Sequence, residues 1–358
     1  MHTKVNETTF SGQSIFLGID VHLKSWKVTV MAGDIVHKTF SSPPQVDKLH
    51  SYLKTHFPGA NYYSAYEAGF SGFWLHRELT KLGINSIIVN PADIPTTDKE
   101  RKQKEDQRDS RKIAKTLQAG QLKGIFIPSE SVLQDRILLR TRDAIIKDLT
   151  RNKNRVKSLL YYQGIPYPER FNASSSHWSK QFIEWLDKIE FQYNGRSGLD
   201  ALLAMVNNQR SLLLKITRQV RELSKTAQYK RNVDLLVSVP GIGVLTAMKL
   251  LTELERIDRF KNFAQLCSYV GLVPSTNSSG ENEITSGITP RNNLRLRSAL
   301  VESAWIAVRT DPALSSCYHK LSNRIASNRA IIRIAKKLLN RAVHVLRTGE
   351  EYERGIIK

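Results

Sequence analysis

Apolar and polar positions alternate in short stretches over the first third of the chain and then settle into helical spacing over much of the rest. Ile15-Phe-Leu-Gly-Ile-Asp20 is a short apolar run that ends in a carboxylate. Trp26-Lys-Val-Thr-Val-Met31 repeats with period two, and Asp34-Ile-Val-His-Lys-Thr-Phe40 follows across a turn at Gly33. Together these three stretches predict a meander of strands. Residues 43–56 have helical spacing, Tyr62-Tyr-Ser-Ala-Tyr-Glu67 is a further strand that ends in an acid, and residues 71–82 form an amphipathic helix stopped by Gly83. Ile84-Asn-Ser-Ile-Ile-Val89 is a buried strand, and residues 99–122 are highly charged and then helical.

A β-meander followed by α/β units is the order of a ribonuclease-H-like domain, expected over residues 14–128 after a polar leader at 1–13. Residues 129–230 are helical. Leu138, Ile145, Leu149, Val156 and Leu160 recur at spacings of seven and four, and Leu199, Leu202, Val206, Leu213, Ile216, Val220 and Leu223 at spacings of three, four and seven. Such spacing keeps one apolar seam along each helix, as in an antiparallel coiled coil. The region reads either as a plain helical bundle or as a projecting hairpin that joins subunits or grips nucleic acid, with Arg151, Lys153, Arg155 and Lys157 suited to the latter. Residues 231–321 open with Val239-Pro-Gly-Ile-Gly243, a tight turn in which Gly241 and Gly243 leave backbone amides open to a phosphate, though many helix-to-helix turns use such glycines. Residues 322–358 carry a basic helix with Arg324, Arg329, Arg333, Lys336, Lys337 and Arg341, which reads equally as a solvated face. The fold class is therefore α/β plus all-α.

Charge narrows the partner. Lys and Arg number 54 against 33 Asp and Glu, a formal charge of +21, which points to a polyanion because neutralising phosphates releases condensed counterions. Ribosomal proteins, nucleic-acid enzymes and membrane-surface proteins share this bias, so it names no reaction. Cys267 and Cys317 are too few for a disulfide framework or a zinc site and suggest a reducing cytoplasm. No apolar run approaches the ~18 residues of a membrane span, and no membrane partner is expected.

The carboxylates narrow the chemistry. Asp20 and Glu67 each end a strand, where a side chain is exposed at a sheet edge. Asp106 and Asp109 stand three apart, on one face of a helix that continues through Ile113, Ala114 and Leu117. Like charges so placed repel unless a cation lies between them, and hard oxygens with open positions suit Mg²⁺, for which Mn²⁺ is the natural substitute. Singly, each acid has an ordinary reading as a turn residue, a surface group or a member of a salt-bridged helix. Gly271-Leu-Val-Pro274, followed by Ser275-Thr-Asn-Ser-Ser279-Gly280, is a hydroxyl-rich loop, either a flexible linker or a source of a nucleophilic serine.

Leu17-Gly-Ile-Asp20, Glu67-Ala-Gly, Asn90-Pro91 and Lys104-Glu-Asp106-Gln-Arg-Asp109-Ser-Arg-Lys-Ile-Ala114 resemble the DEDD transposases related to the Piv DNA invertase. Val239-Pro-Gly-Ile-Gly243, Gly271-Leu-Val-Pro274, Ser279-Gly280 and Leu296-Arg-Ser-Ala-Leu-Val-Glu-Ser-Ala-Trp305 are similar to the same family's C-terminal transposase domain. The resemblance runs from about residue 15 to 310 and implies a RuvC-like catalytic domain, a coiled-coil middle and a mostly helical transposase domain. It places Asp20, Glu67, Asp106 and Asp109 on the family's metal-binding acids and Ser279 on its nucleophile. It further implies a homo-oligomer, dimer or tetramer, whose composite site takes acids and serine from different subunits, and a structured guide RNA that pairs with donor and target DNA. A nucleoid-associated cytoplasmic enzyme follows from that role. Two departures stand out: Ser278 precedes Ser279, and Pro290 occupies a place where relatives often carry lysine. Arg291, Arg295 and Arg297 are candidate phosphate contacts or plain surface charge. The rival reading is a RuvC-like structure-selective DNA endonuclease with the same acids and water as nucleophile. An actin-like sugar kinase would require glycine-rich phosphate loops in both halves, of which only Pro240-Gly-Ile-Gly243 comes close, and a non-catalytic RNA-binding protein leaves the acids idle.

Overall fold

The computed structural model describes residues 10–95, 106–279, 282–288 and 292–354, with backbone alone at residues 106–107, 275–279 and 282–288. The chain divides into two compact units, residues 1–127 and 128–358.

The first unit is built on a five-stranded mixed sheet. Strands β1 (Ser14–Val21), β2 (Trp26–Ala32) and β3 (Ile35–Ser42) form the expected antiparallel meander. Helix α1 (Val46–His56), strand β4 (Asn61–Glu67), helix α2 (Trp74–Lys81) and strand β5 (Asn85–Val89) follow, and β4 pairs parallel with both β1 and β5. The sheet order is β3-β2-β1-β4-β5. Helix α3 (Asp106–Gln118) closes the unit.

Alternation along β1 decides what covers each face of the sheet. Ile15, Leu17 and Ile19 are fully buried in a core with Leu49 and Leu53 of α1 and Leu75 and Leu79 of α2. The opposite face is pressed by α3. A Cβ added at Gly18 would stand 2.0 Å from the Ser110 carbonyl oxygen and 2.4 Å from the Ala114 nitrogen, so only glycine lets this helix backbone rest on the strand. A buried hydrogen bond of 2.9 Å between the hydroxyls of Thr29 and Ser110 fixes the contact, and Ala65, Val89, Ile94 and Ile113 form a small core beneath the helix.

The second unit is mostly helical: α4 (Glu130–Tyr162), α5 (Lys180–Asp187), α6 (Gly195–Leu223), α7 (Lys230–Ser238), α8 (Val244–Leu254), α9 (Phe263–Val270), the hairpin β6 (Pro274–Ser279) and β7 (Asn282–Ile288), α10 (Leu294–Thr310), α11 (Pro312–Ser322) and α12 (Ser327–Thr348). Helices α4 and α6 run antiparallel. The Arg142 Nε donates to Thr217 Oγ1 at 2.9 Å, and farther along the Asn152 amide donates to Gln209 at 3.0 Å. Of the expected seams, Leu149, Val156, Leu160, Leu199, Val206, Ile216 and Val220 are buried. At the far end Phe171 and Phe182 pack with Val156, Leu160 and Leu199, with Tyr167 and Trp185 against them.

The basic C-terminal helix keeps Arg329, Arg333, Lys336 and Lys337 on an exposed face, with Arg324 exposed just before it, and packs by the opposite face. Its apolar residues recur every three or four positions, and Ile331, Ile334, Ala335, Leu338 and Leu339 are buried in the same core as Leu236, Met248 and Leu300. Arg341 donates to the Asp311 carboxylate at 2.7 Å, where Asp311 is 1% exposed and also caps α11 through the Leu314 amide. Among the described residues no helix is long and apolar enough to cross a membrane.

Candidate active site

The last registered pair of β1 and β4 is Ile19 with Tyr66, so Asp20 and Glu67 leave the two parallel strands side by side. Gly18 and Ala65 are also a registered pair, and both lie on the face that α3 covers. Two residues on, alternation turns Asp20 and Glu67 toward that same face. Helix α3 runs back along the sheet. Gln118, at its C-terminal end, donates to Asp34 at 2.7 Å in the β2–β3 turn beside the start of β1, whereas Ser110 lies over Gly18. The helix therefore begins, at Asp106, on the side where β1 and β4 end. Asp109 is half-buried there; the Asp106 side chain lies outside the described side chains.

Two neighbours shape this edge. His22 Nε2 is 3.0 Å from Asp20 Oδ2, with the carboxylate side chain 20% exposed. The i, i+2 spacing of Asp20 and His22 along an extended segment is the sequence signal that pairs them, and sequence reasoning passed over it. Tyr66, next to Glu67, donates to the Gly72 carbonyl and accepts from the His76 amide, each at 3.1 Å, and so ties down the turn after Glu67. Burial pushes its phenol up to about 12, so it stays a neutral strut. Among the described residues no three His, Cys, Asp or Glu side chains form a group that could hold a metal ion. Asp20 and Glu67 at the strand ends and Asp109 on α3 are hard carboxylates of the kind a hard divalent cation takes, but they do not close into such a group; the Asp106 side chain lies outside the described ones.

The hydroxyl-rich stretch is a β-hairpin rather than a loop. Ser279 is the last residue of β6 and pairs with Asn282 of β7, while Ser278 pairs with Glu283. The Ser279 side chain lies outside the described side chains. What the structure defines is the base of the hairpin. A Cβ on Gly271, which has φ +82°, would stand 2.3 Å from Asn292 Cβ, and the Asn293 amide donates to the Tyr269 carbonyl at 2.8 Å. Asn293 also donates through Nδ2 to Glu253 Oε2 at 3.1 Å. Glu253, 3% exposed, accepts Arg140 Nε and Nη2 at 2.9 and 3.0 Å and has Arg136 Nε at 3.9 Å. Burial alone would raise the Glu253 carboxyl; the Arg140 bond, the charges of Arg140 and Arg136 and the Asn293 bond outweigh it and hold it below the usual range. A lone acid inside Leu250-Leu-Thr-Glu253-Leu254 was the sequence signal for this network.

The other candidate contacts separate by packing. A Cβ on Gly241, at φ +90°, would meet the Ser303 carbonyl oxygen at 2.4 Å, so close approach to α10 requires this glycine. Gly243 has open space around it. Arg295 is exposed and Arg297 half-buried in the first turn of α10; Arg291 and Pro290 lie outside the described residues.

Comparison with known proteins adds two matches in chain order. A DEDD transposase model of the IS110 type matches residues 17–162, and the model of the Transposase IS116/IS110/IS902 family matches residues 233–319. Relatives include the y4qE protein of Sinorhizobium fredii, 29% identical over 68% of this chain. This match spans only 58% of the y4qE protein's own length. The transposase for insertion sequence element IS1533 of Leptospira borgpetersenii is 25% identical over 82% of this chain and 85% of that protein. The transposase for insertion sequence element IS1111A of Coxiella burnetii is 28% identical over 75% and 73% respectively.

Proposed function

The chain belongs to the IS110-type insertion-sequence transposases, and from that premise we propose that it cuts and rejoins DNA strands with Asp20, Glu67, Asp106 and Asp109 as its acidic centre and Ser279 as its nucleophile. The observation that carries the reading is the side-by-side exit of Asp20 and Glu67 from paired parallel strands, on the face where α3 begins. The strand order β3-β2-β1-β4-β5 with an antiparallel β2 supports a ribonuclease-H-like assignment for this unit.

A divalent cation, Mg²⁺ in the first instance, would supply charge stabilisation to the phosphate under attack. The chain's own part is positioning. Gly18 lets the backbone of α3 settle on β1, His22 restrains one Asp20 oxygen, and Tyr66 holds the turn after Glu67. Ser279 Oγ forms a bond to phosphorus while the bond to one deoxyribose oxygen breaks. The serine proton passes to solvent and the released oxygen takes up a proton. Attack by the hydroxyl of a second strand on the serine phosphodiester then reseals the DNA and returns the serine hydroxyl. Bond energy is conserved through the covalent link, so the exchange consumes no nucleotide. Acids and serine from different copies of the chain, assembled on a structured guide RNA with donor and target DNA, complete the proposal.

A nicked suicide substrate bearing an element end tests it. The parent protein is expected to form a covalent adduct in Mg²⁺, and Ser279→Ala none. An adduct that survives Ser279→Ala refutes the nucleophile assignment, and cleavage without any adduct favours a nuclease that uses water. Mixing Asp20→Ala with Ser279→Ala chains restores exchange if the site is shared between copies.

A further inference from the structure

Helices α4 and α6 enclose a groove of 860 Å³ in the second unit that the chemistry above leaves unused. It is lined by Arg142 and Lys153 from α4, by Arg210, Arg218 and Arg221 from α6, and by Lys225 just past the end of α6. Glu222 is the single acid in the lining, and it is already bonded to Lys225 at 3.1 Å. The three α6 cations follow helical spacing along one face, and eleven residues at about 1.5 Å each carry them over about 16 Å. That length follows about five phosphates of one strand at a rise of about 3.4 Å. Leu149, Leu213 and Leu214 complete the lining with Thr217, which anchors Arg142 at 2.9 Å.

Lys225 pairs with Glu222, whereas Lys153 and Arg142 each have further cations beside them. Burial and then the neighbouring Arg210 and Lys157 hold the Lys153 ammonium below its ordinary value. Burial lowers Arg142 too, with Asp143 opposing the shift and Arg221 adding to it. Burial and neighbouring cations both disfavour charge here, and an anion laid along the groove offsets the repulsion among the cations. Guanidinium groups match phosphate oxygens in a fixed fork. The lining holds no aromatic ring on which an unpaired base could stack, which disfavours single strands.

We propose that this groove binds the phosphate backbone of a nucleic-acid duplex and holds it without reading its bases. The inference rests on the reading of the chain as a DNA-processing enzyme and assigns that enzyme a backbone clamp on the α4–α6 pair. Labelled DNA and RNA duplexes of one arbitrary sequence, titrated with the full chain at several salt concentrations, test it. Combined Arg210→Gln, Arg218→Gln, Arg221→Gln and Lys225→Gln should lower the slope of log affinity against log salt by about 3 to 4 on the duplex the groove holds, at about 0.9 for each phosphate no longer neutralised. The duplex that suffers the larger drop identifies the source.

Arg210→Lys, Arg218→Lys and Arg221→Lys together should keep the parental slope, because charge number is unchanged. The glutamine variant should melt no lower than the parent, since it removes repulsion, so lost binding is separable from lost folding. Lys180→Gln, Lys188→Gln, Lys230→Gln and Lys261→Gln, four exposed sites elsewhere, should leave the slope nearly unaltered. A glutamine variant that keeps the parental slope on both duplexes overturns the groove alone. So does one that loses self-association instead, which makes the occupant a second copy. A parent chain that binds neither duplex overturns the transposase reading together with the groove.

Discussion

Replacing Glu253 by glutamine isolates one buried charge at the foot of the serine hairpin. The substitution keeps size and shape but removes the negative charge between Arg140 and Arg136 and mismatches the acceptor that receives Asn293. Arg140, 43% exposed, regains water; Arg136, 8% exposed, does not, and keeps only its bonds of 3.0 and 2.8 Å to the Thr252 carbonyl. Removing one partner of a buried ion pair costs about 3 to 5 kcal/mol, and the partial exposure of Arg140 puts this case near about 3 kcal/mol. For a unit of this size that is a fall of roughly 6 to 12 °C in the melting transition. Scanning calorimetry at neutral pH reads it directly. The pH dependence follows from the lowered carboxyl. Between the folded and unfolded pKa values the unfolded chain binds the extra proton, so the stabilisation is complete above the unfolded value of about 4.3 and is lost as pH falls through the folded value. The gap between parent and Glu253→Gln should therefore hold from about pH 8 down to about pH 5 and close only in stronger acid. A variant that melts within about 2 °C of the parent at neutral pH would show that the network contributes little and refute the reasoning.

Gly18→Ala drives a methyl into the backbone of α3 at Ser110 and Ala114; a cost of about 1 to 3 kcal/mol or more, with loss of strand cleavage, is expected from melts and a nicking assay. Chelation by EDTA, or Asp20→Asn, should stop cleavage while duplex binding in a gel-shift assay persists; cleavage that survives chelation removes the metal from the proposal. Arg341→Met strands the Asp311 carboxylate in the core and should lower stability by about 3 kcal/mol, measured by urea denaturation, whereas the exposed Lys337→Met should change it by less than about 0.5 kcal/mol.

The strand meander was legible because period-two alternation reports local burial, and all five strands of the first unit stand close to where the pattern puts them. The hydroxyl-rich stretch was harder. Ser275 to Ser279 is polar throughout, so no alternation marks it, and its pairing with Asn282–Ile288 supplies the order that its own composition does not. In the C-terminal helix the run of cations suggested a solvated face, while the apolar stripe from Ile331 to Val343 decided where the helix goes.

The order of the four acids along the chain, the periodicities that make strands and helices, and the positive charge that calls for a polyanion were determined by the amino-acid sequence alone. That Asp20 and Glu67 share a face was decided only by tertiary structure. It depends on the parallel register of β1 and β4 across the intervening meander and α1, and a slip of one residue would turn the carboxylates to opposite sides. Glu253 is the same kind of case. A buried charge is tolerable only beside its counter-charge, and Arg140 reaches it from 113 residues away, a separation that no local pattern encodes.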